Sequence, residues 1–302
     1  MIGSFARRCL RQPGFEGRVL ACLREAIYFR DPADRLMWLA LPTHPAHRRA
    51  ILMPFDSSLV SVGSRVSIAG DALVLDGVPN TPVGLAAVWS PPLLDRRRLV
   101  PWAALGEHFQ AFLPQVAEIP GRRGFGQLLG QDRNASGEPR LPDGADPDVQ
   151  RWQSMFAAAG DLLRAGRAGG AALIEPALKL LGLGPGLTPA GDDFVGGMLF
   201  AFNRVARAYP EKVHRATPGR TVLLDQAQAA TTRISFTILS DLAHGHGAEP
   251  MHTLVSALVH GEEPAQAVGA AEAITRIGHT SGWDMLAGML SGLSLLVGQT
   301  GR

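Results

Sequence analysis

The 302-residue chain is close to neutral, with a formal net charge of +2, and its 46% hydrophobic and 19% charged residues are an ordinary globular balance. It is long enough for two medium domains, and its charge gives no support to a nucleic-acid or membrane partner. Two cysteines, Cys9 and Cys22, make neither a disulfide framework nor a four-cysteine zinc site, and the two lysines, Lys179 and Lys212, lie in no P-loop.

Arg7, Arg8 and Arg11 precede no apolar signal core, so the reading is a cytoplasmic chain without a signal peptide. Residues 16 to 90 then read as strands. Short apolar or alternating runs lie at 18–23, 36–41, 50–54, 65–68, 72–75 and 83–89. Turn signals separate them at Asp31-Pro32, Pro42, Gly63, Gly70-Asp71, Asp76-Gly77 and Pro79-Asn80. Close spacing without helical patterns predicts an antiparallel sheet or small barrel. Residues 101–117 have helical spacing. From Gly121 to Pro147, Gly, Pro, Asp and Arg dominate, which predicts a loose linker. Arg122 and Arg123 could reach an anionic ligand from there, although solvated surface is the plainer reading.

The remainder reads as helices at about 148–165, 169–181, 192–208, 220–243, 250–260, 264–276 and 283–297. The apolar stretch from Met285 to Gln299 is shorter than a membrane span of ~20 residues. The expected fold class is α+β. An N-terminal antiparallel strand-rich domain, a small barrel or sandwich, covers 1–100. A helix plus loose linker covers 101–147, and a mainly helical domain covers 148–302.

The most informative segment runs from Leu181 to Leu199. Gly182, Gly184 and Gly186 permit backbone angles closed to other residues, and Pro185 and Pro189 stiffen the same turn. An apolar helix follows, starting near Gly191 or Asp192, and its free N–H groups should favour an anion. Ser281-Gly282-Trp283-Asp284 opens a second helix with the same offsets. Gly191, Asp193, Gly197, Met198 and Leu199 correspond to Gly282, Asp284, Gly288, Met289 and Leu290. The repeat predicts two helices packed about a pseudo-twofold, with both starts on one cleft. Plain helix capping and chain reversal compete with this reading.

Candidate catalytic residues are therefore Asp193 and Asp284. Candidate substrate-binding residues are Gly184, Gly186, Thr188, Gly191 and Asp192 at the first start, and His279, Thr280, Ser281 and Gly282 at the second. Thr232, Arg233 and Ser235 join them from a polar patch, where Arg233 could fork a carboxylate or phosphate or simply face solvent. One of Asp192 and Asp193 could hold Mg2+ through carboxylate oxygen. No metal site is assigned, and His244-Gly-His246 reads as a helix-ending turn.

The run Gly182-Leu-Gly-Pro-Gly-Leu-Thr-Pro-Ala-Gly-Asp-Asp-Phe194 resembles the signature of the AllH family, with Ala190 where Ser is common. Thr232 to Ser235, Gly278 to Gly282 and Asp284 fit its later pattern. The resemblance covers essentially the whole chain, weakly over the strand region and strongly from 180 to 292. It implies a subunit of oxamate carbamoyltransferase, working with two other subunits to convert oxalurate and phosphate to oxamate and carbamoyl phosphate in allantoin and purine catabolism. The small anionic substrate would sit at the paired helix starts. The alternative is a non-catalytic metabolite-binding or assembly subunit.

Overall fold

The computed structural model describes residues 1–129, 147–168, 170–213 and 219–298. The chain forms two compact units, Met1–Pro92 and Leu93–Arg302. The fold class is α+β as expected, with a half-barrel sheet first and helices after it.

In the first unit, β1 (Ile2–Gly3) leads into α1 (Ser4–Leu10). The strands β2 (Glu16–Cys22), β3 (Ala26–Arg30), β4 (Leu36–Ala40), β5 (Ala50–Leu52), β6 (Arg65–Ala69), β7 (Ala72–Leu75), β8 (Val78–Pro82) and β9 (Val88–Trp89) follow. They form one sheet in the order β8-β7-β6-β2-β3-β4-β5-β1-β9. The pairings β4–β5 and β1–β9 are parallel and the others antiparallel. Alternate residues, Ile27 and Phe29 on β3 and Met37 and Leu39 on β4, enter one core with Ala6, Cys9 and Leu10 of α1.

Three local expectations change. The segment Ala26–Arg30, which is not among the expected runs, forms β3 and pairs with β2 and β4, and α1 adds a helix before the first long strand. Pro79-Asn80 lies inside β8 rather than in a turn, because β8 is an edge strand, where a missing N–H need not break the ladder.

The second unit contains α2 (Trp102–Ala117), α3 (Pro147–Ala168), α4 (Ile174–Leu180), α5 (Ala190–Ala208), α6 (Pro210–Val213), α7 (Arg220–Ala230), α8 (Arg233–Ala243), α9 (Glu249–His260), α10 (Pro264–Thr275) and α11 (Ser281–Val297). The helices α5 and α11 are buried almost all round and form its centre. The expected helix at 220–243 is two helices. Thr232 adopts extended angles, and its hydroxyl accepts the Ser235 N–H at 3.1 Å, which caps α8 and ends the continuity.

The expected linker is also revised. Residues 130–146 lie outside the described residues. Gly124–Leu128 is a 3-10 turn docked in the helical core, with Phe125 fully buried against the rings of Phe194, Phe156 and Trp152 at centroid distances of 4.7, 5.7 and 5.9 Å.

Candidate functional site

Glycines set the geometry of the α5–α11 crossing. A Cβ on Gly197 would run into the Met285 carbonyl oxygen, and one on Gly288 would run into that of Phe194. Phe194 and Met285 occupy equivalent places in the two helices, so the contact is its own mirror under a local twofold. Bare backbone on each helix lets the other approach closely, and this places the two helix starts side by side. There Thr188 Oγ1 and Ser281 Oγ lie 2.9 Å apart.

Outside the crossing, the same device holds each start against the preceding helix. A Cβ on Gly191 would strike the Leu180 carbonyl, and one on Gly282 that of Ile274.

Asp192 and Asp193 point different ways and have different surroundings. Asp192 accepts the Gly182 N–H at 2.7 Å, the Ser235 hydroxyl at 2.5 Å and the Thr231 hydroxyl. Thr232 donates to the Leu187 carbonyl at 2.8 Å. The glycine loop is thereby tied to the start of α8, and Asp192, Thr231, Thr232 and Ser235 are occupied in holding it. Gly182, Gly184 and Gly186 have φ of 77°, 114° and 98°, which explains their residue type by loop shape.

Asp193 faces the other start. The Thr188 and Ser281 hydroxyls favour its charged form, and the charge of Asp284 opposes it. Asp284 accepts the Phe125 N–H at 2.7 Å, and the Thr280 hydroxyl also favours its charged form. The two side chains are 2% and 0% exposed, and one oxygen of each, Oδ2, is enclosed without a hydrogen-bond partner. Burial is the main force on both acidities. It raises Asp193 well above the usual carboxylate range, with the neighbouring Asp284 adding to the rise, and it pushes Asp284 up to about 7 against the pull of its two donors. The paired starts thus present two buried carboxyls suited to holding a proton near neutral pH.

A cleft of 440 Å³ includes Trp283, the residue before Asp284, and Arg123, the residue before Gly124, in its walls, with Arg276, His279 and Glu272; neither aspartate lines it. Arg123 donates to His279 Nδ1 at 2.8 Å, so that nitrogen is an acceptor there. Arg276 and Glu272 form an exposed pair at 3.5 Å. Two guanidiniums and an imidazole against one carboxylate give the cleft a preference for anions.

The helix starts themselves offer less to an anion than the sequence suggests. Gly191 N–H donates to Leu183 O and Gly282 N–H to Ile277 O, each at 2.9 Å. Asp192 and Asp193 donate to Pro189 O at 3.0 and 3.2 Å, and Asp284 to Thr280 O at 3.0 Å. These groups are already satisfied, so side chains remain as the anion ligands. Among the described residues no group of three His, Cys, Asp or Glu could hold a metal. His244 sits in the turn after α8, with Nδ1 on Ser240 O at 2.7 Å.

Of the candidates, the structure brings together Thr188, Asp193, Thr280, Ser281 and Asp284, with His279 at the cleft. It directs Asp192, Thr232 and Ser235 to the loop, and Arg233 is exposed on α8. Sequence reasoning missed Gly124, Phe125 and Arg276, and it read Arg123 as surface. A buried aromatic between two glycines, Gly124-Phe125-Gly126, was the available signal within the expected linker.

The helical unit thus defines a class of protein with a buried carboxyl pair at two twofold-related glycine-seated helix starts. Residues 180–293, which span both starts, match the family described as Oxamate carbamoyltransferase subunit AllH, in support of the resemblance carried by the glycine motif. The match begins at the end of α4 and so does not reach the strand-rich unit. No solved structure matches the chain. Among the described residues no helix is long and apolar enough to cross a membrane.

Proposed function

We propose that this chain is a subunit of an oxamate carbamoyltransferase-type enzyme of the cytoplasm, acting with two partner subunits on oxalurate and phosphate. The observation that carries the reading is the Asp193–Asp284 pair, each with an enclosed Oδ2 that has no hydrogen-bond partner, while Arg123 and Trp283 of the cationic cleft adjoin Gly124 and Asp284 in the chain. A small molecule with a carboxylate at one end and amide N–H groups at the other matches both halves. Arg123 and Arg276 would hold the carboxylate, and the Asp pair would accept from the amide nitrogen.

In the reaction, an oxygen of hydrogen phosphate attacks the terminal ureido carbon of oxalurate. The bond from that carbon to the oxamate nitrogen breaks, and the phosphate proton ends on that nitrogen. A carboxyl held protonated near neutral pH can give the departing nitrogen its proton and regain one from hydrogen phosphate. The net products are oxamate and carbamoyl phosphate.

The test is to assay carbamoyl phosphate formation by the chain alone and then with its co-encoded neighbours. Asp193→Asn and Asp284→Asn should each lower turnover in the complex by about a hundredfold or more, the scale of acid–base catalysis. Unchanged turnover in both variants would remove the pair from the chemistry.

The enclosure of both carboxyls favours one second reading, a non-catalytic metabolite-binding or assembly subunit in which the pair holds the two helices together. On that reading Asp193→Asn and Asp284→Asn lower stability or complex formation, while the turnover of whatever complex assembles is retained.

A further inference from the structure

We infer that the strand-rich unit carries a separate ligand site, in which a 370 Å³ cleft beside α1 takes a small molecule with an apolar or planar body and one carboxylate or phosphate group held by Arg7 and Arg11. The cleft is independent of the Asp pair and lies wholly within residues 1–92.

Its volume suits a small metabolite, and its exposed lining is more polar than apolar, with apolar residues beneath. Ile2, Leu10, Phe15 and Val83 form the floor and are buried. Arg7 and Arg11 stand one helical turn apart on the same wall. Among the described residues neither has an ion-pair partner, and Arg7 Nε is enclosed without an acceptor. Two like charges set together above apolar surface, one with an enclosed donor unused, are best satisfied by an anion that both can fork.

Gln12 adds a neutral donor. Arg35 donates to its Oε1 at 2.5 Å, which fixes the amide and leaves its NH2 available. The one carboxylate in the lining, Asp71, packs against Gly84, where a Cβ would strike its oxygen. Gly14 and Gly70 border open space on the remaining sides. The competing account is that both arginines are simply solvated at the end of a short helix, where they also face its free carbonyls.

The experiment titrates the full chain with benzoate, phenyl phosphate and neutral benzamide, three probes of one size, followed by amide NMR shifts. At least one anion should bind, with the amides of Gly14, Gly70 and Gly84 moving, and benzamide should bind about tenfold or more weakly. Preference between the two anions then tells a carboxylate ligand from a phosphate one. The Arg7→Gln/Arg11→Gln variant should lose about tenfold or more in anion affinity, while Arg98→Gln, at an exposed residue outside both clefts, should not. If the double variant fails to fold, the wild-type shift map and the ratio of anion to benzamide affinity decide. Equal binding of benzamide, shifts confined to the Arg123–Arg276 cleft, or no binding would overturn the site.

Discussion

Phe125 donates its backbone N–H to the Asp284 carboxylate at 2.7 Å, across 159 residues of sequence. The Phe125 ring sits in the core beside Phe194, so one residue joins the segment after α2 to both central helices. Gly124 makes the approach possible and Arg123 gains its place at the cleft from it.

Gly124→Ala tests that approach. Gly124 has φ of 52°, and a Cβ there would strike Asp284 Oδ1. Strained backbone and overpacking act together, so the variant should lose about 2–4 kcal/mol in denaturant unfolding. A loss below about 0.5 kcal/mol would mean that the segment is not seated against Asp284.

How much of this was legible follows from the range of each signal. The two Gly-Asp starts were readable because the repeat is local and its offsets match, and a matching offset puts matching residues on the same helix face. Helix texture and strand texture gave the fold class for the same reason. The partners of the starts were not readable. Phe125 reaches Asp284 only through the tertiary fold, and its stretch of Gly and Arg has the composition of a linker. Asp192 and Asp193 are adjacent and chemically alike in sequence, and only the position of Ser235 and Gly182 on one side and Ser281 on the other separates them. β8 was hidden because proline argues against a strand until its place at a sheet edge is known.

That separation makes a paired prediction. Asp192→Ala leaves Gly182 N–H and the hydroxyls of Thr231 and Ser235 without their acceptor, so it should cost roughly 3 kcal/mol of stability. Asp193→Asn keeps an oxygen for Thr188 or Ser281 and should cost about 1 kcal/mol or less while abolishing most turnover of the assembled enzyme. Chemical denaturation and the transfer assay together check the pair. The reverse pattern would exchange the roles of the two residues.

The helix crossing makes another. Gly197→Ala and Gly288→Ala each push a methyl into the opposing backbone and should each destabilise by about 1–3 kcal/mol. Both act on one interface, so the double variant should lose less than the sum, because the first substitution already parts the helices. A strictly additive double variant would show that the two contacts are separate.

Asp284 should leave a mark on the pH dependence of stability. Burial lifts its pKa from 3.8 to about 7. Between those values the folded protein holds a proton that the unfolded chain has released, so folding is favoured at the acid end. The contribution is full below about pH 4 and is lost as pH rises through about 7. Asp193 shifts in the same direction. Thermal melts of Asp284→Asn from about pH 5 to about pH 8 should therefore fall less steeply than those of the wild type. Parallel curves would show that Asp284 carries no such proton.

The cleft arginines should separate binding from chemistry. Arg123 touches His279 and lies one residue from Gly124, so its charge lines the cleft without touching the Asp pair. Arg276 shares the cleft and is partly answered by Glu272. If the substrate carboxylate rests on these guanidiniums, its attraction is the same in the ground and transition states, and its loss appears in KM. Arg123→Ala should raise KM for oxalurate by about tenfold or more, the scale of one charge-assisted hydrogen bond, and leave kcat within about threefold. Arg276→Ala should do less, because Glu272 already offsets part of its charge. Arg123→Lys separates charge from fork geometry. It should recover part of the loss if charge alone is needed, and little if the two-pronged contact matters. A fall in kcat at constant KM would move Arg123 from holding the substrate to stabilising the transition state, and unchanged kinetics would take the carboxylate out of this cleft.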